Sequence, residues 1–111
     1  MNEKILEILE HYFEWHQSYL SVPDNSTEYE VQEIPGLIFM RINNKKNLVY
    51  IINNLYLNLN QEISTHTSSI TDFDKFTIDD LTGIEQCFGK VKMALKTIQN
   101  QIELNKIKQD F

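Results

Sequence analysis

A chain of 111 residues with 41% apolar residues is long enough to bury a core without staples, and it reads as a single domain over residues 1–111. One cysteine excludes an internal disulfide framework, and no apolar run approaches the ~20 residues of a membrane-spanning helix; with no signal-like start, these point to a cytoplasmic protein. The net charge of −6 disfavours nucleic acid and anionic membrane as partners. One Ala and one Arg among many Asn, Ile and Lys match AT-rich codons and suggest a bacterium or its phage.

Residues 3–20 are expected to form the first helix. Ile5, Leu9, Tyr12, His16 and Tyr19 fall on one stripe, broadened by Leu6, Phe13 and Leu20 and, on the other side, by Ile8 and Trp15. Glu3, Glu7, Glu10 and Glu14 form an acidic stripe opposite, at spacings of four, three and four. The stretch from Val22 through Pro23 to Ser26 stops that helix with turn chemistry. Asn25-Ser26-Thr27 matches a glycosylation sequon but has no export signal to give it meaning.

Extended segments follow. Tyr29 to Ile34 alternates in part, Pro35-Gly36 suits the centre of a type II turn, and Leu37 to Ile42 is apolar enough for a central strand. Asn43 to Asn47 reads as a hairpin loop with Lys45 and Lys46 at its tip, and Leu48 to Ile52 as the return strand. After a turn at Asn53-Asn54, Leu55, Leu57 and Leu59 alternate with Tyr56, Asn58 and Asn60 as a strand does. The same letters allow a helix through Ile52, Leu55, Leu59 and Ile63. Ser64 to Asp74 is polar, without a period, and reads as a loop.

The last third organises the chain. Thr77 is an N-cap candidate, with Asp80 at the capping-box position and Phe76 and Leu81 at staple spacing. Leu81, Ile84, Phe88, Val91, Leu95, Ile98 and Ile102 then alternate by three and four, a heptad seam flanked by Cys87 and Ala94. The seam serves either the domain's own core or self-association. A helix from Ile78 to Lys108 would run about 46 Å, longer than the ~30 Å of a small domain. Gly83 and Gly89 weaken it, and Gly89 is where a break would fall. A second apolar stripe, Met93, Leu104, Ile107 and Phe111, lies off the seam.

These segments give an α+β fold: an N-terminal helix, a three- or four-stranded antiparallel meander, and a long C-terminal helix, both helices on one face of the sheet. The alternative is a mostly α fold with one β-hairpin. The order of helix, strands and capped long helix, with a low pI, resembles the class I chaperones of type III secretion. That likeness of architecture implies a homodimer holding an export substrate.

Charge is laid out in blocks. Residues 1–33 carry eight acids against Lys4; residues 34–61 carry Arg41, Lys45 and Lys46 with no acid. Residues 62–85 are again acidic and 86–111 mildly basic. Arg41, Lys45 and Lys46 near Phe39 and Tyr50 are too few for an RNA surface. His11 with Glu7 and Glu14 on one helical face has the donors for a divalent cation. His66 with Ser64, Ser68, Ser69 and Asp72 has the side chains of a nucleophile–base pair. Either would make a small metal-binding or hydrolytic protein. Asp72-Phe73-Asp74 lacks the oxygen ligand and glycine of a calcium loop, and no phosphate-binding or dinucleotide motif is present, so no cofactor is expected. Cys87, beside the seam, reads as a small apolar filler.

The expected function is therefore that of a small acidic, non-enzymatic binding module. It would mask or inhibit one protein partner with a basic surface, in the manner of an immunity protein, antitoxin or phage inhibitor. The residues expected to carry binding are Glu7, Glu10, Glu14, Trp15, Met93, Leu104 and Ile107. A homodimer through the C-terminal helix is the other expected assembly.

Overall fold

The computed structural model describes residues 2–18, 26–34, 37–53, 55–57, 63–65 and 73–109. Its elements run α1 (Glu3–Glu10), β1 (Trp15–Gln17), β2 (Ser26–Val31), β3 (Met40–Asn43), β4 (Leu48–Ile52), β5 (Leu55–Leu57), β6 (Ile63–Thr65), β7 (Phe73–Thr77) and α2 (Leu81–Gln109). Five strands form one antiparallel sheet in the order β1-β2-β3-β4-β7, and β5 pairs with β6 as a separate ribbon. The fold is α+β.

Register decides which side chains meet the helices. Tyr29 lies opposite Met40, Met40 opposite Ile51, Ile42 opposite Val49, and Val49 opposite Phe76. Successive side chains on a strand point to opposite faces, so this set shares one face with Val31. Tyr29, Val31, Met40, Ile42, Val49 and Ile51 are all buried there. The hairpin between β3 and β4 is held by Asn43, whose Oδ1 accepts the N–H groups of Lys45 (3.1 Å) and Lys46 (3.0 Å). Asn47 closes it with φ of 56°, a left-handed conformation that asparagine tolerates better than most residues.

Both helices contribute to the same core. Ile5 and Leu9 of α1 are buried with Ile84, Cys87, Phe88, Val91 and Leu95 of α2. Aromatic rings cross between them: Phe39 stands 5.0 Å from Phe13 and 5.8 Å from Phe88, and Tyr12 lies 6.3 Å from Phe88. Lys92 donates to the Tyr12 carbonyl at 2.6 Å and sits 5.6 Å over the Phe13 ring, fastening the end of α1 to α2. α2 is about 43 Å long at 1.5 Å per residue. The molecule measures 54 × 27 × 23 Å, so its long axis reflects helix that outruns the sheet. Beyond Leu95 no described residue of α2 is buried.

Several expectations need correction. The first helix stops at Glu10 rather than near residue 20. The N–H groups of Tyr12 and Phe13 both bond the Leu9 carbonyl, closing the last turn. Trp15–Gln17 then pair with Tyr29–Val31. Aromatic residues favour a pleated, half-buried surface, and this pairing gives β2 its outer neighbour. The strand expected over Tyr29–Ile34 is Ser26–Val31, and that expected over Leu37–Ile42 is Met40–Asn43; Leu48–Ile52 stands as expected. Segment 55–57 is strand, which removes the helical option and the mostly α alternative with it. The expected loop Ser64–Asp74 overlaps β6 and the start of β7. The N-cap of α2 is Asp80, not Thr77: Asp80 Oδ1 accepts the Gly83 N–H at 3.1 Å. Thr77 is instead the last residue of β7, opposite Leu48. α2 continues through Gly89 without a break. Its seam belongs to the core as far as Leu95, with Leu81, Ile98 and Ile102 half-buried. The turns at Val22–Pro23, Pro35-Gly36 and Asn54 lie outside the described residues, as do His66, Asp72 and Phe111.

Candidate protein-binding surfaces

Of the expected acidic stripe, α1 carries Glu3, Glu7 and Glu10, and Glu14 falls beyond its end. Glu3, Glu7 and Glu10 are exposed on α1, and Glu14 is exposed just beyond it. Two further carboxylates are drawn to its border. Glu33 Oε1 accepts the Glu14 N–H at 3.3 Å, and its Oε2 is buried without a partner among the described residues. Glu85 of α2 accepts the Tyr12 hydroxyl at 3.2 Å. Desolvation, then the hydrogen bond to Glu85 and its charge, push the Tyr12 hydroxyl above its ordinary range. The described residues contain two ion pairs, His16–Glu30 and Arg41–Glu28, and neither involves this ridge. α1 has no basic residue in its last turn, where Glu7 and Glu10 oppose the helix dipole. Each acid so placed costs the helix about 0.3–1 kcal/mol. The ridge is therefore not explained by the stability of α1.

Trp15 lies in β1, half-buried, with its ring edge-on to Tyr29 at 5.5 Å. It packs at the margin of the core instead of joining the ridge. Met93, Leu104 and Ile107 are exposed on α2, on the side turned from its buried seam. Glu7 and Glu10 thus share α1, Glu14 follows beyond its end, and the three apolar residues lie on α2 in a stripe of their own.

The outer face of the sheet was not anticipated. Glu28, Arg41, Tyr50 and Lys75 lie directly opposite one another across β2, β3, β4 and β7. Arg41 donates twice to Glu28 Oε2, from Nε at 3.1 Å and from the terminal nitrogen at 2.7 Å. Glu28 is only 6% exposed, an uncommon position for a carboxylate without a close cation. His16 bonds Glu30 at 3.2 Å in the next row. The signal for this face was the alternation of Glu28 and Glu30 with Tyr29 and Val31. It is obscured because His16 also fits the helical spacing of the residues before it.

The metal reading required His11, Glu7 and Glu14 on one helical face. With α1 ending at Glu10, Glu14 is no longer part of that face. Among the described residues no group of three or more His, Cys, Asp or Glu is placed to hold a metal ion. Cys87 is buried, with Sγ 3.5 Å from Asp74 Oδ2, while Asp74 Oδ1 accepts from Asn53 at 2.9 Å. These groups border a cleft of about 190 Å³ together with Leu55, Lys90, Val91 and Ala94. Burial, reinforced by the Asp74 charge, pushes the Cys87 thiol up to about 12. It is a protonated filler rather than a nucleophile. No described helix is long and apolar enough to cross a membrane.

No family model matches the chain, and no curated protein or solved structure matches it either.

Proposed function

We propose that this protein is a non-enzymatic binding module of the cytoplasm that masks a basic surface on one partner protein. The reading rests on the acidic ridge, in which Glu3, Glu7, Glu10 and Glu14 are exposed and without ion-pair partners among the described residues. Carboxylates at the negative end of α1 work against the helix that carries them. Such a field speeds encounter with a cationic surface, and the firmly packed α1 then excludes other ligands from that surface by bulk.

The test begins with gentle native purification from the source cell and mass spectrometry of the eluate. One protein at fixed stoichiometry supports the reading, and its identity separates an inhibitor from an export chaperone. The wild type is then compared with the triple variant Glu7→Lys, Glu10→Lys and Glu14→Lys. The expected result is association slowed by about tenfold or more at low salt, with much of the difference lost at high salt. Unchanged affinity in the triple variant would reduce the ridge to a solvated face and overturn the proposal.

A further inference from the structure

The inner seam of α2 is committed to the core through Leu95, but its outer side is bare. Met93, Leu104 and Ile107 are 69%, 53% and 54% exposed. Thr97 and Asn100 between them are exposed too. Residues 93, 97, 100, 104 and 107 alternate by four and three, which is heptad spacing. At 100° per residue they share one stripe, roughly 100–180° around the helix from Ile84, Phe88, Val91 and Leu95. Neither α1 nor the sheet reaches that stripe.

We propose that this outer stripe docks on the same stripe of a second copy, with the two α2 helices antiparallel about a two-fold axis between residues 98 and 99. Charge selects this occupant and this direction. Lys96 and Glu103 are both exposed and stand seven residues apart, so they hold the same flanking position of the heptad. In an antiparallel pair, equal flanking positions face each other. Lys96 then meets Glu103 of the second copy, and Glu103 meets its Lys96, giving two ion pairs by symmetry. The same register lays Leu104 on Met93 of the second copy and Thr97 on its Asn100, a polar layer at the centre that fixes alignment at some cost in affinity. A parallel pair would separate Lys96 from Glu103 and crowd two acidic bodies at one end. The antiparallel pair sets those bodies at opposite ends.

Area sets the strength. The stripe from Met93 to Ile107 spans about 21 Å, and a contact roughly 10–15 Å wide covers on the order of 200–300 Å² per copy. The total falls below the ~1,200 Å² of standard interfaces, so the dimer is weak and concentration-dependent.

Sedimentation equilibrium on the intact chain from about 5 µM to about 1 mM at low salt tests the proposal. The expected mass rises from one copy towards two and no further. Lys96→Glu and Glu103→Lys should each weaken the dimer about tenfold, because each replaces two attractions by two repulsions. The combined swap should return the affinity to within about threefold of the wild type. Leu104→Asp should abolish the dimer while circular dichroism reports an unchanged fold, since Leu104 touches no core. A wild type that stays monomeric, single variants without effect, a double swap no better than either single, or growth beyond two copies would each overturn the proposal.

Discussion

Glycine occupies two positions in α2, and the structure forecasts opposite results for replacing each by alanine. A Cβ on Gly89 would find its nearest outside atom, Tyr12 Cε1, at 3.9 Å, an ordinary contact. Alanine there should return the helix propensity that glycine forgoes, about 1 kcal/mol. With an unfolding entropy near 2.1 cal/mol/K per residue, that raises the melting temperature of this chain by roughly 4 °C. A Cβ on Gly83 would stand 2.5 Å from Asp80 Oδ2 and 2.9 Å from its Cγ. The methyl group would dislodge the carboxylate that caps the helix, and losing a cap costs about 1 kcal/mol. Gain and loss then cancel, so Gly83→Ala should leave the melting temperature flat or lower it. Thermal unfolding followed at the helical circular-dichroism band separates the two. In an Asp80→Ala background the conflict disappears, and Gly83→Ala should then stabilise by about 1 kcal/mol, a non-additivity diagnostic of contact. A fall in melting temperature for Gly89→Ala would refute the unbroken helix. Equal gains at both positions would refute Asp80 as the cap.

Further outcomes follow from the sheet, the thiol and the ridge. Arg41→Met leaves the Glu28 carboxylate buried and alone; since Arg41 is itself 44% exposed, the cost should be about 1–2 kcal/mol by urea unfolding, and adding Glu28→Gln should recover part of it. Asn47→Val should cost about 1–2 kcal/mol through its positive φ, whereas Asn47→Gly should be near neutral. The Cys87 thiol, raised from 9.0 to about 12, holds its proton longer in the folded than in the unfolded chain. Its contribution is therefore complete below pH 9 and fades as pH rises from 9 towards 12. Denaturant midpoints measured along that range should fall more for the wild type than for Cys87→Val, and native Cys87 should resist alkylation at pH 8. Glu10→Lys should raise stability by about 0.3–1 kcal/mol while weakening capture of a basic partner, opposite effects that a merely solvated face would not produce.

What the sequence disclosed was mostly what short-range chemistry decides. The hairpin at Asn43–Asn47 and the strand Leu48–Ile52 were legible because turn residues and apolar runs there agree. The long helix and its core seam were legible because seven positions keep one period. The end of α1 was not, because the aromatic residues from Tyr12 to Trp15 satisfy helical spacing as well as strand alternation. Only pairing with Tyr29–Val31, twelve to sixteen residues on, settles which pattern is used. β7 was hidden for the same reason, since Phe73 to Thr77 carries no strong alternation and owes its extension to β4. The helix start is ambiguous by one motif. Thr77 and Asp80 are both capping residues, and the last pairing of β7 with Leu48 engages the first of them. Of the expected acidic stripe, spacing placed Glu3, Glu7 and Glu10 on α1 but also Glu14, which lies beyond its end, whereas Glu28, Arg41, Tyr50 and Lys75 become neighbours only through register across four strands.

The docking of α1 against α2 joins segments from opposite ends of the chain, and this has a consequence for the order of folding. β2, β3 and β4 pair through short connections and can form as they are made. β7 must wait for the intervening β5–β6 ribbon, and closure of a longer loop adds only slowly to its entropic cost. α1 waits longest. Ile5, Leu9 and Phe13 are synthesised before any strand, yet the surface that covers them includes Phe88 and its neighbours on α2. At translation rates of about 5–20 residues per second, that apolar face stays open for seconds. Throughout that interval the nascent chain offers an amphipathic helix without its α2 cover to whatever chaperone, membrane or partner is within reach. Completion of α2 ends the exposure.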